Sequence, residues 1–434
     1  MLDIKTIRER EGEVRDALAT RGIGADIDAI LEADKNRRGL LSEVEALKSR
    51  RNKVSKEIGA LVKKGEDASS SRADMRALGD QIKELDEQIR QVELSLAELL
   101  MLVPNIPHSS VPPGLDAGSN VVVREVGEKR EFQFKPSDHV EIGERLGILD
   151  FARATRMTGA GFPLYLGLGA RLERALIGFM LDLHTREHGY TEMSPPFLCN
   201  EKSMTGTGQL PKLADDMYRT QDGFYLIPTA EVPVTNYFRE EIIEQPLPVC
   251  FTAYTPCFRR EAGAAGKETR GLLRVHQFDK VEMVKFVEPE SSYDELERLL
   301  QNAEAVLQKL GLSYRVLLLC AGDMSFAAAK CYDIEVWAPG RNAWLEVSSC
   351  SNFEAFQARR ASIRYRPSGG KPDFVHTLNG SGVALARLVV AILENYQQAD
   401  GSVELPPAIV PYMDNISKLT PPPAEGVSSS PSGT

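Results

Sequence analysis

Residues 27–102 contain no proline, and apolar residues recur along them in steps of four and three. Leu78, Ile82, Leu85, Ile89, Val92, Leu96 and Leu99 form one such seam. Leu40, Val44, Leu47, Val54, Ile58 and Leu61 keep the same rhythm, with Arg51 filling the slot between Leu47 and Val54. A heptad seam of this kind predicts two long helices that bury a shared apolar stripe. The segment KKGEDASSSRAD between them is rich in turn formers, so the helices should fold back as an antiparallel hairpin. Pro104, Pro107, Pro112 and Pro113 then break any helix, which places a linker over residues 103–118 and a boundary between a first domain, 1–102, and the rest.

Charge along the hairpin is uneven. Arg37, Arg38, Arg50, Arg51, Lys53, Lys56, Lys63 and Lys64 crowd the outgoing helix and the turn, while the return helix past Leu78 is mostly acidic. Such a pattern suits either a solvated coiled-coil or dimerisation rod, or a basic-tipped arm that contacts phosphates. Arg51 is costly in a dry seam, so its head group should escape towards solvent.

A net charge of −10 argues against a protein that coats nucleic acid wholesale, and leaves room for a local basic surface. No apolar run approaches the ~18 residues of a membrane span. The start, MLDIKTIRER, lacks the apolar core of a secretory signal, so a cytoplasmic location is expected and no membrane association. Six cysteines, at 199, 250, 257, 320, 331 and 350, include no C-x-x-C pair. They read as buried free thiols, and no zinc site is expected.

Beyond the linker, residues 119–415 mix helix and strand patterns. Leu168 to His188 carries apolar residues at helical spacing and stops at Gly189. Strand candidates follow at 224–227, approaching Phe258, at 274–286, at 332–338 and at 344–349. They lie too close together for a helix between every pair, so the expected class is α+β: an antiparallel sheet flanked by helices, preceded by the helical arm. Residues 416–434 have too little apolar content to pack and are expected to be disordered.

Neither a G-x-x-x-x-G-K-[ST] loop nor a strand-linked G-x-G-x-x-G is present; AGAAGKET around Lys267 misses the spacing. If the chain handles a nucleotide, it does so by another construction. In CFRREAGAAGKETRGLLRVHQFDKVEM, residues 257–283, two β-like arms around a Gly/Ala loop carry Arg259, Arg270 and Arg274 with Glu261 and Glu282. Arginines suit forked contact with phosphate oxygens, and Phe278 could stack on a base. Alone, such a hairpin is more often a surface salt-bridge ladder. In WLEVSSCSNFEAFQARR (344–360) strand alternation puts Glu346 and Ser348 on one face, with Ser349 beside them, as hard oxygen ligands for Mg²⁺. VHTLNGSGVALARLVVAILENYQ (375–397) reads as strand, turn and amphipathic helix, with Arg387 near the start of the helix.

These blocks together resemble a family. FRRE with RGLLRVHQFDKVE is similar to motif 2 of the class II aminoacyl-tRNA synthetases, GSGVALAR to motif 3 and GYTEMSPP to motif 1. LIPTAEVPVTN (226–236), GDMSFAAAKCYDIEVW (322–337), EVSSCSN, FQARR and the proline hinge resemble the bacterial-type seryl-tRNA synthetases in particular, over roughly residues 1–413. The resemblance implies activation of L-serine with ATP and Mg²⁺, then transfer to tRNA(Ser), and to tRNA(Sec) as well. It implies that Arg259 binds the α-phosphate, Glu261 meets the adenine amino group, Phe278 stacks on adenine, and Arg270 and Arg387 hold the outer phosphates. Arg260, Val275, Val347 and Ser348 complete the expected nucleotide site, and Glu346 with Ser349 would hold Mg²⁺. Thr229, Ala230, Glu231, Glu282 and Ser381 fall at the serine-binding positions. The hairpin would be the tRNA-binding arm, serving the partner active site of a homodimer. Val410 and Asp414-Asn415 stand where the family usually shows Arg and Gly-Gly, beyond the motifs. Two other readings of the same chain are a noncatalytic RNA-binding relative and an amino acid:carrier protein ligase, which would lack the arm and use zinc.

Overall fold

The computed structural model describes residues 1–262 and 270–422, and the chain divides after Ile106 into two compact units. In the first, two short helices, α1 (Ile4–Glu9) and α2 (Glu11–Thr20), precede the long pair α3 (Ile27–Lys64) and α4 (Ser69–Met101). Helix α3 starts where the Asp26 carboxylate accepts the Ala29 N–H at 2.9 Å and stops at Gly65, whose φ of 73° ends the helix in a left-handed cap. Val44 on α3 and Leu78, Ile82, Ile89 and Leu96 of the α4 seam are buried, while Leu85, Val92 and Leu99 are half-buried and Leu100, outside the seam, is buried instead. Lys48–Asp86 at 3.2 Å and Arg37–Glu93 at 3.5 Å set the antiparallel register. Arg51 is half-buried. At the base, Ile7, Val14, Ile27, Ile30 and Val103 form a small core. The expected linker is partly structural there, since Val103 is wholly buried and Arg21 donates to the Asn105 carbonyl at 3.1 Å.

The second unit is built on a sheet of eight strands: β1 (Val121–Val126), β2 (Thr191–Glu192), β3 (Val249–Phe258), β4 (Gln277–Val287), β5 (Tyr314–Leu318), β6 (Lys330–Ala338), β7 (Ala343–Asn352) and β8 (His376–Ala384). Their order is β1-β5-β6-β7-β8-β4-β3-β2. Every neighbouring pair is antiparallel except the short edge strand β2, which runs parallel to β3. The segment around 224–227 does not join this sheet. Tyr225–Leu226 pairs with Leu198–Cys199 in a separate ribbon, and meets β3 where the Phe258 N–H donates to the Ile227 carbonyl at 2.9 Å.

Helices α5 (Leu168–Arg186), α6 (Ser292–Lys309) and α7 (Leu385–Tyr396) cover one face of the sheet. Val281, Met283 and Val287 of β4 point into that core with Leu299, Leu300 and Leu388, all buried. The alternate residues Phe278, Lys280 and Glu282 point to the other face, which period-two geometry leaves for a ligand. The tail expectation needs correction at its start: β10 (Lys418–Leu419) pairs with β9 (Val403–Glu404), and Leu419 is buried. A two-residue pairing anchored by one leucine leaves no signal in composition. The rest of the tail, from 423, lies outside the described residues, as does most of the Gly/Ala loop of motif 2. No helix among the described residues is long and apolar enough to cross a membrane.

Candidate active site

A cavity of about 470 Å³ opens on the opposite face, floored by β4, β7 and β8. Thr229, Glu231, Arg259, Glu261, Val275, Phe278, Glu282, Glu346, Val347, Ser348, Ser349, Ser381 and Arg387 all line it, although they come from five stretches of sequence. Two irregularities of the sheet aim them. Glu346 pairs with Glu335 and Ser348 with Ile334, so Val347 is an extra residue on β7. Such a bulge shifts side-chain alternation by one residue. Ser348 therefore turns to the core side, where its hydroxyl donates to the Ser381 carbonyl at 2.7 Å. Ser349 turns to the face shared by Glu346, Glu335 and Asp333. The simple alternation that grouped Glu346 with Ser348 is thus corrected: Glu346 and Ser349 share a face. The second irregularity is in β8, where Ser381 pairs with Glu282 and Ala384 with Lys280. Val383, in the gap, has φ 118°, a rare conformation for a β-branched residue. Neither neighbouring glycine accepts a side chain: a Cβ at Gly382 would lie 2.6 Å from His184 Nε2, and one at Gly380 would lie 2.8 Å from Cys350 Sγ.

Three arginines, Arg259, Arg274 and Arg387, line the cavity. The Arg259 guanidinium sits 5.2 Å from the centre of the Phe278 ring, its Nε donating to the Pro228 carbonyl at 3.4 Å. Arg387 donates to the Leu273 carbonyl at 3.1 Å and to the Glu346 carbonyl at 2.7 Å, with the Glu346 carboxylate 3.4 Å away. Glu261 takes a 2.5 Å bond from Arg274. Two carboxylates of the lining, Glu231 and Glu282, are buried. Lys280 lies 2.5 Å from Glu282, which also accepts the Thr229 hydroxyl at 3.1 Å. Glu231 accepts from Gln357 at 2.5 Å. Burial first, and the Glu282 charge second, push the Glu231 carboxyl up to about 7. Beneath Ser349, burial and the nearby Glu346 charge hold the Asp333 carboxyl well above the usual carboxylate range.

The N-terminal residues 1–107 match the family model described as the seryl-tRNA synthetase N-terminal domain, and residues 214–396 match the tRNA synthetase class II core domain (G, H, P, S and T). A serine–tRNA ligase of Carboxydothermus hydrogenoformans is 59% identical over 423 residues, 96% of this chain and 100% of that protein. The serine–tRNA ligase of Geobacter sulfurreducens is 57% identical over 422 residues, again 96% and 100%. The chain belongs to the serine–tRNA ligases. A solved seryl-tRNA synthetase from Pyrococcus horikoshii, complexed with ATP, superposes with a TM-score of 0.91 at 38% identity, over 97% of this chain and 100% of that one. The Naegleria fowleri cytoplasmic ligase, in complex with AMP, gives 0.87 at 29% identity, over 97% and 99%. The α+β fold with its helical arm is thus the seryl-tRNA synthetase fold.

Within this ligase three expected site residues lie outside the cavity lining. Ala230 is wholly buried in a cluster with Val234 and Phe286. Arg260 is exposed, its backbone N–H held by the Asp216 carbonyl. Arg270 is also exposed and pairs with Asp138 at 2.9 Å. On the arm, Arg37 and Arg38 surround Asp34, a wholly buried carboxylate that Arg8 also meets at 2.9 Å. Arg50, Lys53, Lys56, Lys63 and Lys64 are exposed. They and Arg51 have no carboxylate partner among the described residues. Sequence reasoning missed Lys280, Asp333 and Gln357. Lys280 was legible as the alternate neighbour of Phe278 and Glu282. Asp333, on β6 opposite Ser349, and Gln357, on the six-residue helix Phe356–Ala361, sit behind the lining residues Ser349 and Glu231, and no local pattern announces either.

Proposed function

We propose that the carboxylates Glu231 and Glu282 bind L-serine and the guanidinium groups of Arg259 and Arg387 bind ATP, so that the two meet over β4. The observation that carries this reading is the meeting, in the lining of one cavity, of buried Glu231 and Glu282 with Arg259 and Arg387. A carboxylate can receive the amino acid's ammonium and hydroxyl, while arginine forks suit phosphate oxygens. Thr229 and Ser381 add short polar contacts beside Glu282. Phe278 offers a ring for the adenine, and Glu261 an acceptor for its amino group.

The first reaction joins a serine carboxylate oxygen to the α-phosphorus, breaks the bond to the bridging oxygen and releases pyrophosphate. No strong base is required, because the nucleophile is already an anion; the demand is to stabilise charge on the phosphates and hold the reactants in line. Arg259 and Arg387 meet that demand, and Arg270 joins them by leaving Asp138. Glu346 and Ser349 present a carboxylate and a hydroxyl on one face, a donor pair that would hold Mg²⁺. Bound there, Mg²⁺ would neutralise charge on the leaving pyrophosphate. Next, a terminal ribose hydroxyl of the tRNA attacks the seryl carbonyl and AMP leaves.

The arm supplies the tRNA contact through Arg50, Arg51, Lys53, Lys56, Lys63 and Lys64, for tRNA(Ser) and for tRNA(Sec). The working enzyme is a cytoplasmic homodimer. The deciding experiment is ATP–pyrophosphate exchange with each of the twenty amino acids, without tRNA. Exchange with serine alone is expected, with alanine weaker by about 10⁴-fold because a buried polar site is left unpaired by the missing hydroxyl. Alanine exchange near the serine rate would sink the reading.

A further inference from the structure

Gln357 is wholly buried, yet all of its hydrogen-bonding groups are used in ways that converge on the cavity. Its Nε2 donates to Glu231 Oε1 at 2.5 Å and to the Thr207 carbonyl at 3.1 Å, and its Oε1 accepts the Thr377 hydroxyl at 2.8 Å. The carbonyl of Thr207 can only accept, so it demands the amide nitrogen and fixes which way the side chain faces. Thr377, on the wholly buried part of β8, locks the other end. The Thr207 hydroxyl in turn bonds Gln209, and Thr207, Gly208 and Gln209 form part of the cavity wall. Glu231 Oε2 accepts no protein hydrogen bond among the described residues, although Glu231 lines the cavity.

We propose that Gln357 is the positioning residue for amino-acid selection: it pins one oxygen of Glu231 and the Thr207 wall with a single amide, leaving the other oxygen aimed at the substrate. This rests on the reading of Glu231 as a serine contact. The arrangement has an electrostatic consequence. Glu231 faces Glu282, Lys280 and Arg259, and is pushed towards its neutral form by burial and then by Glu282. The Gln357 hydrogen bond acts the other way and favours the carboxylate. Without it, Glu231 would be both loosely aimed and less often charged.

The test is serine-dependent ATP–pyrophosphate exchange by the full-length enzyme from pH 5.5 to 9, comparing wild type with Gln357→Met and Thr377→Val. For Gln357→Met the KM for serine should rise by about 30-fold or more, with the KM for ATP within about twofold, because only the amino-acid contact is disturbed. The acidic limb of kcat/KM for serine should move to higher pH, which a merely structural role would not produce. Thr377→Val leaves Glu231 and Gln357 in place but unlocks the amide, so a smaller shift in the same direction is expected. If Gln357→Met does not fold, Thr377→Val decides alone. Unchanged KM for serine and an unmoved acidic limb in the folded variants would overturn the proposal, as would equal rises in both KM values. A wild-type enzyme that exchanges an amino acid other than serine would instead overturn the underlying reading of Glu231.

Discussion

Six cations along the outer arm, from Arg50 to Lys64, have no carboxylate partner among the described residues, and five of them stand exposed in water. Three charges of the cavity lining, Glu231, Lys280 and Glu282, are almost wholly buried, and each has a partner within 2.5 Å. In water a side-chain charge costs little to leave unpaired and gains little from pairing, so the arm can hold charge in reserve for a polyanion. Out of water an unpaired charge is expensive, so the cavity must neutralise its own carboxylates before any substrate arrives. The arm also contains the exception that proves instructive. Asp34, buried at its base, gathers Arg8, Arg37 and Arg38. The same residue type at the same density is therefore structural in one place and available in another, and burial of the partner decides which.

The largest effect should come from separating the two regions. Leu96 lies near Asp34 across the hairpin, since Arg37 meets Glu93, so residues 35–95 can be replaced by a short Gly/Ser turn. Charging of tRNA is expected to fall by about three orders of magnitude or more, because the phosphate contacts are lost together. Serine-dependent pyrophosphate exchange should stay within about threefold, as chemistry at the separate cavity depends on local positioning. Loss of both activities would mean that the arm supports the catalytic unit, and the contrast would fail.

A smaller but two-sided effect is expected at Glu231. Its carboxyl is raised to about 7 in the folded protein, above its ordinary value, so the native state holds a proton that the unfolded chain gives up. The sign follows: this group's contribution to stability falls as pH rises through the interval between the ordinary value and about 7, and the loss is complete above it. Glu231→Gln should therefore stabilise the enzyme at pH 8, by an amount on the order of 1–3 kcal/mol, and leave it unchanged near pH 4. In the same variant kcat/KM for serine should drop by about 10²-fold, because a charge-assisted contact is gone. Thermal melts at the two pH values, set beside exchange kinetics, check both halves. A variant less stable at pH 8 would show that the buried charge is well compensated.

What could be read from the sequence divides along the same line. The arm was legible because its information is local: a seam at Leu78, Ile82 and Ile89 needs only periodicity, and Gly65 marks where the helix ends. The cavity was legible only in pieces. Arg259, Glu261 and Phe278 lie on one continuous block, and Arg387 on another, yet their meeting depends on strand order. Which of Ser348 and Ser349 faces the ligand depends on a single extra residue at Val347, a feature that alternation cannot show. Gln357 was hidden for a similar reason, since a polar residue beside Phe356 looks like any exposed helix position until β8 covers it.

The bulge gives a finer test of the cavity. Ser349→Ala should raise the Mg²⁺ concentration needed for half-maximal exchange by about 10-fold, as loss of a metal contact commonly does. Ser348→Ala, one residue away, removes the bond to the Ser381 carbonyl and should cost about 1 kcal/mol of stability with little change in the Mg²⁺ requirement. Equal Mg²⁺ effects in the two variants would mean that the side-chain alternation across Val347 is not what selects the metal-facing residue.

The smallest effect returns to the arm and to the two kinds of arginine. Lys63→Ala with Lys64→Ala removes two exposed cations at the tip, next to Gly65. If both meet phosphates, the slope of log affinity against log salt for tRNA should fall by about 1–2, and affinity at moderate salt by a few fold, roughly as counterion release predicts. Stability should not change, because neither side chain has a carboxylate partner among the described residues. Arg37→Ala with Arg38→Ala removes the same charge but strips Asp34 of two of its three partners, leaving a buried carboxylate with Arg8 alone. That pair should lower the melting temperature of the N-terminal unit and leave the salt slope nearly intact. The reverse pattern, with Arg37 and Arg38 carrying the salt dependence, would show that tRNA binding draws these arginines away from Asp34, and that burial of a partner is no guide to which arm charges are free to act.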